Sequence, residues 1–176
     1  GQGTAALELV EQAGPFDAVI APVSGGGLLS GIAIATHGLD PGVRVLGGEP
    51  AQAADAHASL RRGALVTDIT PDTIADGLRA QLCARTYAIL RAHAVEVLLA
   101  GEDGIVAAMR LVWDRLKLVV EPSGAVALAA LIAGREGVAG LRIGVILSGG
   151  NVDLDRLPWQ EPRFQRELPP AAGGIA

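Results

Sequence analysis

Short unbroken apolar runs alternate along the chain with longer stretches in which apolar positions recur every three or four residues. Phe16 to Val23 (FDAVIAPV) is a run of the first kind, rich in β-favouring residues and ending at glycines, and it predicts a buried strand. Leu28 to Thr36 predicts a helix that stops near Gly38, and Arg44 to Gly48 a second strand. Ala51 to Arg62 can form a helix closed by Gly63, and Ala80 to His93 a helix with Leu82, Tyr87 and Leu90 at helical spacing. Val95 to Ala100 predicts a third strand. Glu102 to Val119 predicts a long amphipathic helix with Ile105, Met109, Val112 and Leu116 on one face. Ser123 to Ala133 is a further helix ended at Gly134, and Leu141 to Leu147 is the last strand, running into Ser148.

Alternation of strand and helix predicts an α/β fold: an open parallel sheet with helices on both faces. Ligands of such sheets bind at the C-terminal ends of the strands. Three clusters of glycine and polar residues fall at such ends: Ser24 to Gly27, Gly48-Glu49, and Ser148 to Asn151. One α/β domain is expected over residues 1–159, followed over 160–176 by a flexible tail rich in Pro, Gly and charge.

Composition narrows the function classes. Aromatic residues make up 3% of the chain and the formal charge is −5. That combination lacks both the stacking platforms and the basic groove that bind single-stranded nucleic acid. A single cysteine, Cys83, excludes an intrachain disulfide framework and fits a reducing, cytoplasmic setting. The longest apolar run, Ala125 to Ala133, falls well short of the roughly 20 residues of a membrane helix. No basic-then-apolar leader opens the sequence, so no signal peptide is expected. His37, His57 and His93 follow no ligand spacing and are expected to be surface or core residues.

Ser24-Gly25-Gly26-Gly27-Leu28 follows a predicted strand and opens a predicted helix. Consecutive amide N–H groups in such a turn, aided by the helix dipole, form a nest for an anion, and phosphate is the natural guest. A tight turn without ligand is the structural alternative. The loop is not a Walker motif, because no lysine follows the glycines. It is an imperfect dinucleotide fingerprint: Gly25 and Gly27 fit, Ser30 stands at the third position, and Glu49 lies where a ribose-binding acid would sit. A monophosphate cofactor is the third reading.

Five segments in order bear on that choice. They are Gly1-Gln2-Gly3-Thr4, Pro22 to Leu28 (PVSGGGL), Thr73-Ile74-Ala75-Asp76-Gly77, Glu121-Pro122-Ser123-Gly124-Ala125, and Ser148 to Leu154 (SGGNVDL). Together they resemble the serine/threonine dehydratases and serine racemases, pyridoxal-phosphate (PLP) enzymes of fold type II with the tryptophan-synthase-β-like fold. The resemblance runs nearly to Trp159. It implies that Ser24, Gly25, Gly26, Gly27 and Leu28 hold the cofactor phosphate and that Ser148 meets the pyridine nitrogen. It also implies a divalent cation, Mg²⁺ or another, at Glu49, Ala53 and Asp55: two carboxylates and a carbonyl form the hard oxygen shell such ions prefer. Lys117 and Asn151 match positions that contact ATP in nucleotide-responsive racemases, though Lys117 also reads as a surface lysine of its helix. Glu121 opens one of the motifs and receives no role.

PLP is held through a lysine, which in this family lies in an N-terminal segment like Ser-x-Lys-x-Arg-Gly. The only lysine here is Lys117, and neither that segment nor the Ser-Gly-Asn-His loop that grips the substrate carboxylate occurs. The chain is therefore expected to be the large-domain portion of a longer or split enzyme, inactive alone, with the N-terminal half as partner and commonly a homodimer. The implied activity of the parent is β-elimination from L-serine or L-threonine to a 2-oxo acid and ammonia. Serine racemase and hydroxyaspartate dehydratase are close alternatives, and a nucleotide-binding module without catalysis is the reading from another class.

Overall fold

A computed structural model of the chain describes residues 1–164. Residues 165–176, most of the expected tail, lie outside the described part. The sheet is built from β1 (Ala18–Pro22), β2 (Arg44–Pro50), β3 (Glu96–Ala100) and β4 (Ile143–Val145). Its order is β3-β2-β1-β4 and every pairing is parallel. All five residues of β1 are buried, as expected of a central strand covered on both faces.

Alternating side chains divide between two cores. Val19, Ala21, Val45 and Val97 face α1 (Thr4–Ala13), α2 (Gly27–Leu39), α3 (Asp55–Arg62) and α4 (Ala84–Ala92), meeting Ala6, Leu29, Ile32, Ala56 and Leu90. Ala18, Ile20 and Leu46 face α6 (Pro122–Ala133) through Ala127. α5 (Glu102–Leu116) packs mainly on α6, with Ile105, Met109 and Val112 inward and Ala100 of β3 in the same core. Trp159, just beyond a long loop, closes on Trp113 of α5 edge to face at 5.2 Å.

Several boundaries move from their sequence expectations, each for a local reason. The expected helix from Ala51 splits into a 3-10 turn at Ala51–Ala53 and α3, whose first amides are capped by Glu49. The helix expected from Ala80 starts at Ala84, because Ala80 and Leu82 donate their N–H groups to Ser24 and Asp55 instead. α5 ends at Leu116, where Lys117 turns to φ 59°, and Leu118 and Val119 are more than half exposed. α1 was not expected: its polar positions mask the pattern, and Ala6 is its only fully buried side chain.

The chain winds from β1 to β2 to β3 in one direction and then crosses back to set β4 on the other side of β1. The order reverses between β1 and β4. At such a switch point the two outgoing loops diverge and leave a crevice beyond the strand ends.

Candidate functional site

The two loops that sequence analysis singled out follow the strands on either side of this switch point. Register pairs Ile20 with Val145, and Ile146 donates its N–H to Ile20 O at 2.9 Å. Ser24 follows β1 and Ser148 follows β4, so both lie at the same end of strands about 4.8 Å apart.

The glycine turn is shaped from behind. Gly26 caps α2 with φ 83° and ψ 1°, a left-handed conformation that favours glycine. A Cβ there would stand 2.7 Å from Leu82 Cδ2 and 2.8 Å from Thr86 Cβ. Gly27 borders open space, with nothing within 4 Å of a Cβ position. The turn is thus walled by α4 and its approach and is open towards an incoming anion at the N-terminus of the 13-residue α2. Ser24 Oγ accepts the Ala80 N–H at 3.0 Å and donates to Ala80 O at 2.9 Å. Its hydroxyl is therefore committed to fixing the wall.

The Ser148 loop is held by α6. At Gly124 an added Cβ would collide with the Ser148 carbonyl and lie 2.8 Å from Val120 Cγ2. The backbone of α6 can approach Ser148 this closely only because position 124 has no side chain. Glu121 donates its own N–H to Gly149 O and accepts the Asn151 N–H on Oε2 at 2.7 Å. Ser123 Oγ accepts the Gly77 N–H at 3.0 Å, which docks the Thr73–Gly77 motif beside the same helix start. The structure thus supplies roles that sequence reasoning did not: Glu121 and Gly124 buckle the Ser148 loop, and residues 80–86 wall the glycine turn. Gly124 lay within a recognised motif, but its role needed the fold.

The predicted metal residues form a buried acid pair behind the turn. Glu49 is fully buried, and its two oxygens accept the N–H groups of Ala56 and His57, each at 2.8 Å. Burial pushes its carboxyl up to about 8, against the pull of those two amides, with the nearby Asp55 adding to the rise. Asp55 is also raised, chiefly by burial, and its Oδ2 accepts the Leu82 N–H at 2.8 Å. Among the described residues no group of three or more His, Cys, Asp or Glu side chains that could hold a metal ion forms here, and this expected site offers two carboxyls. Both Glu49 oxygens cap α3 through the Ala56 and His57 amides.

Other candidates fall elsewhere. Lys117 is exposed and donates its Nζ to Asp114 O at 2.7 Å, as a helix-end lysine would. Cys83 is exposed at the N-cap of α4, where the Thr86 hydroxyl draws its thiol down to about 7. His57 is bonded to Val97 O at 2.8 Å. His37 and His93, far apart in sequence, touch through their Nδ1 atoms. Among the described residues, no helix is long and apolar enough to cross a membrane.

The family profile described as pyridoxal-phosphate dependent enzyme matches residues 1–149. The chain belongs to this family. β-Hydroxyaspartate dehydratase of Paracoccus denitrificans is 48% identical over 159 residues, covering 90% of this chain and 50% of that protein. Maize serine racemase superposes with a TM-score of 0.84 at 43% identity, over 90% of this chain and 50% of that one. The processed form of threonine deaminase isoform 2 from Solanum lycopersicum gives 0.82 at 35% identity, over 88% and 44%. The chain spans about half the length of the curated relatives it matches. Its parallel sheet with flanking helices is that of the fold-type II PLP enzymes. The Ser24–Gly27 turn, open at Gly27 and leading into α2, follows β1, and Ser148 follows the adjacent β4, a placement that fits a small phosphorylated cofactor.

Proposed function

We propose that this chain supplies the phosphate cradle and the ring-nitrogen partner of a PLP enzyme that deaminates L-serine or L-threonine by β-elimination: the β-hydroxyl leaves as water, and a water then hydrolyses the resulting imine, giving a 2-oxo acid and ammonia. The observation that supports it most directly is the shared end of neighbouring strands at which the Ser24–Gly27 turn and Ser148 stand. The amides of Gly25 to Leu28, with the α2 dipole, bind the phosphate. Ser148 donates its hydroxyl to the pyridine nitrogen.

When bound, PLP acts as an electron sink for the substrate's α-carbon. A serine hydroxyl is neutral at pH 7 and cannot stabilise a pyridinium as an aspartate would, so Ser148 keeps that sink shallow. A neutral partner at this position would suit a substrate whose β-hydroxyl can leave. Glu121 and Gly124 hold Ser148 in register. Glu49, the Ala53 carbonyl and Asp55 would hold Mg²⁺ or a similar ion with water, fixing Leu82 and so the back wall of the cradle.

Lys117 is turned to its own helix end, so the lysine that holds the cofactor belongs to an N-terminal half, as does the grip on the substrate carboxylate. On this reading the complete enzyme is a cytoplasmic homodimer and this chain alone does not turn over. A second substrate, 3-hydroxyaspartate, is favoured by the 48% identity to β-hydroxyaspartate dehydratase. The test joins this chain to its N-terminal half, adds PLP, and measures 2-oxo acid and ammonia from L-serine, L-threonine and L-threo-3-hydroxyaspartate. We expect a cofactor absorbance band and 2-oxo acid from at least one of the three. A complete protein that retains no PLP contradicts the reading.

A further inference from the structure

His37 lies in the last turn of α2 and His93 caps the C-terminus of α4, 56 positions away. Their Nδ1 atoms stand 2.8 Å apart, with ring centroids at 4.9 Å and planes inclined by 32°. Both rings are half-buried. The backbone reverses just past His93, at Ala94 with φ 48°.

The hydrogen bonds fix the tautomer of one ring. His37 Nε2 lies 3.0 Å from Val43 O, and a carbonyl can only accept, so Nε2 carries the proton. The Nδ1 of neutral His37 is then a lone pair aimed at His93. A backbone carbonyl that orients a histidine through one nitrogen and leaves the other bare is the usual outer support of a metal-binding imidazole. Two helices also end at this point, and their negative ends favour a cation between the rings.

The spacing suits a shared ion. Two imidazole nitrogens, each about 2.0–2.1 Å from a metal and about 90–110° apart around it, are separated by roughly 2.9–3.4 Å. From 2.8 Å the pair opens by about a tenth of an ångström for a square-planar angle and by about half an ångström for the tetrahedral angle of Zn²⁺, with the rings turning so that their lone pairs converge.

We propose that His37 and His93 form an open site for a borderline divalent transition-metal ion, such as Zn²⁺, Ni²⁺ or Cu²⁺, bound through their two Nδ1 atoms, with the proton that His93 Nδ1 shares with His37 moving to His93 Nε2. Among the described residues no third His, Cys, Asp or Glu joins them, so water completes the shell and the ion exchanges readily. The site differs in chemistry from the carboxylate pair Glu49 and Asp55, since imidazole selects these ions over Mg²⁺ or Ca²⁺. An ion here would tie together the far ends of α2 and α4, whose near ends form the glycine turn and its wall.

The full-length protein, held in excess Mg²⁺ to fill carboxylate sites, is titrated with Zn²⁺ and separately with Ni²⁺ by calorimetry near neutral pH. One equivalent should bind per chain, weakened about tenfold or more in His93→Gln. No uptake, or uptake equal in the wild type and His93→Gln, overturns the proposal. Should the variant fail to fold, nitrogen-15 NMR of the wild-type imidazoles decides. One equivalent of Zn²⁺ should move the Nδ1 resonances of His37 and His93. Resonances left in place, as for a pair that only shares a proton, overturn the proposal.

Discussion

Gly124 and Glu49 show at single-residue scale how the site is held. At position 124 a methyl group would drive into the Ser148 carbonyl and Val120. Gly124→Ala should cost about 1–3 kcal/mol of stability, as overpacking does, and lower cofactor affinity by displacing Ser148. Chemical denaturation and PLP titration of the same variant measure both effects. Glu49 gives a pH signature. Its folded-state pKa of about 8 lies above its ordinary 4.5, so between those values the folded chain keeps a proton that the unfolded chain has lost. Its contribution to stability is complete below pH 4.5 and is lost as pH rises through 8; the rise of Asp55 acts in the same sense. Thermal melts of the chelator-treated protein should therefore show a melting temperature falling from pH 5 to pH 8. Mg²⁺ should recover the loss at pH 8, and Glu49→Gln should flatten both responses. These residues were legible as types and not as contacts: Glu49 read as a ligand from its motif, while its capping of α3 depends on where β2 delivers it.

At the scale of elements, the strands and the helices that cover them were legible because their apolar periods differ and glycines mark their ends. What the pattern missed depends on tertiary partners. α1 buries one alanine fully and packs against α2. α4 starts late because Asp55 and Ser24 take the N–H groups of Leu82 and Ala80. His37 and His93 meet only because α2 and α4 end side by side. The end of α5 supplies a test at this scale. Lys117 sits in the left-handed region at φ 59°, where glycine carries no steric cost. Lys117→Gly should leave α5 intact and stabilise the protein by about 0.5–1 kcal/mol, read from its denaturation midpoint.

At the scale of the molecule, the proposed site follows from one topological event, the crossover that sets β4 beside β1 rather than beside β3. Apolar runs and glycine punctuation announce a parallel sheet, but they do not order it. Four strands in sequence order would have left Ser148 three strands from the glycine turn. The observed order brings the two loops to adjacent strand ends. The measurement that tests this most directly is equilibrium dialysis of PLP against the full-length protein, its Gly26→Val variant and its Ser148→Ala variant. The turn and the serine should each contribute: PLP affinity falls about tenfold or more in Gly26→Val and measurably in Ser148→Ala, with both proteins folded. Retention of PLP by both variants at the wild-type level would contradict the account.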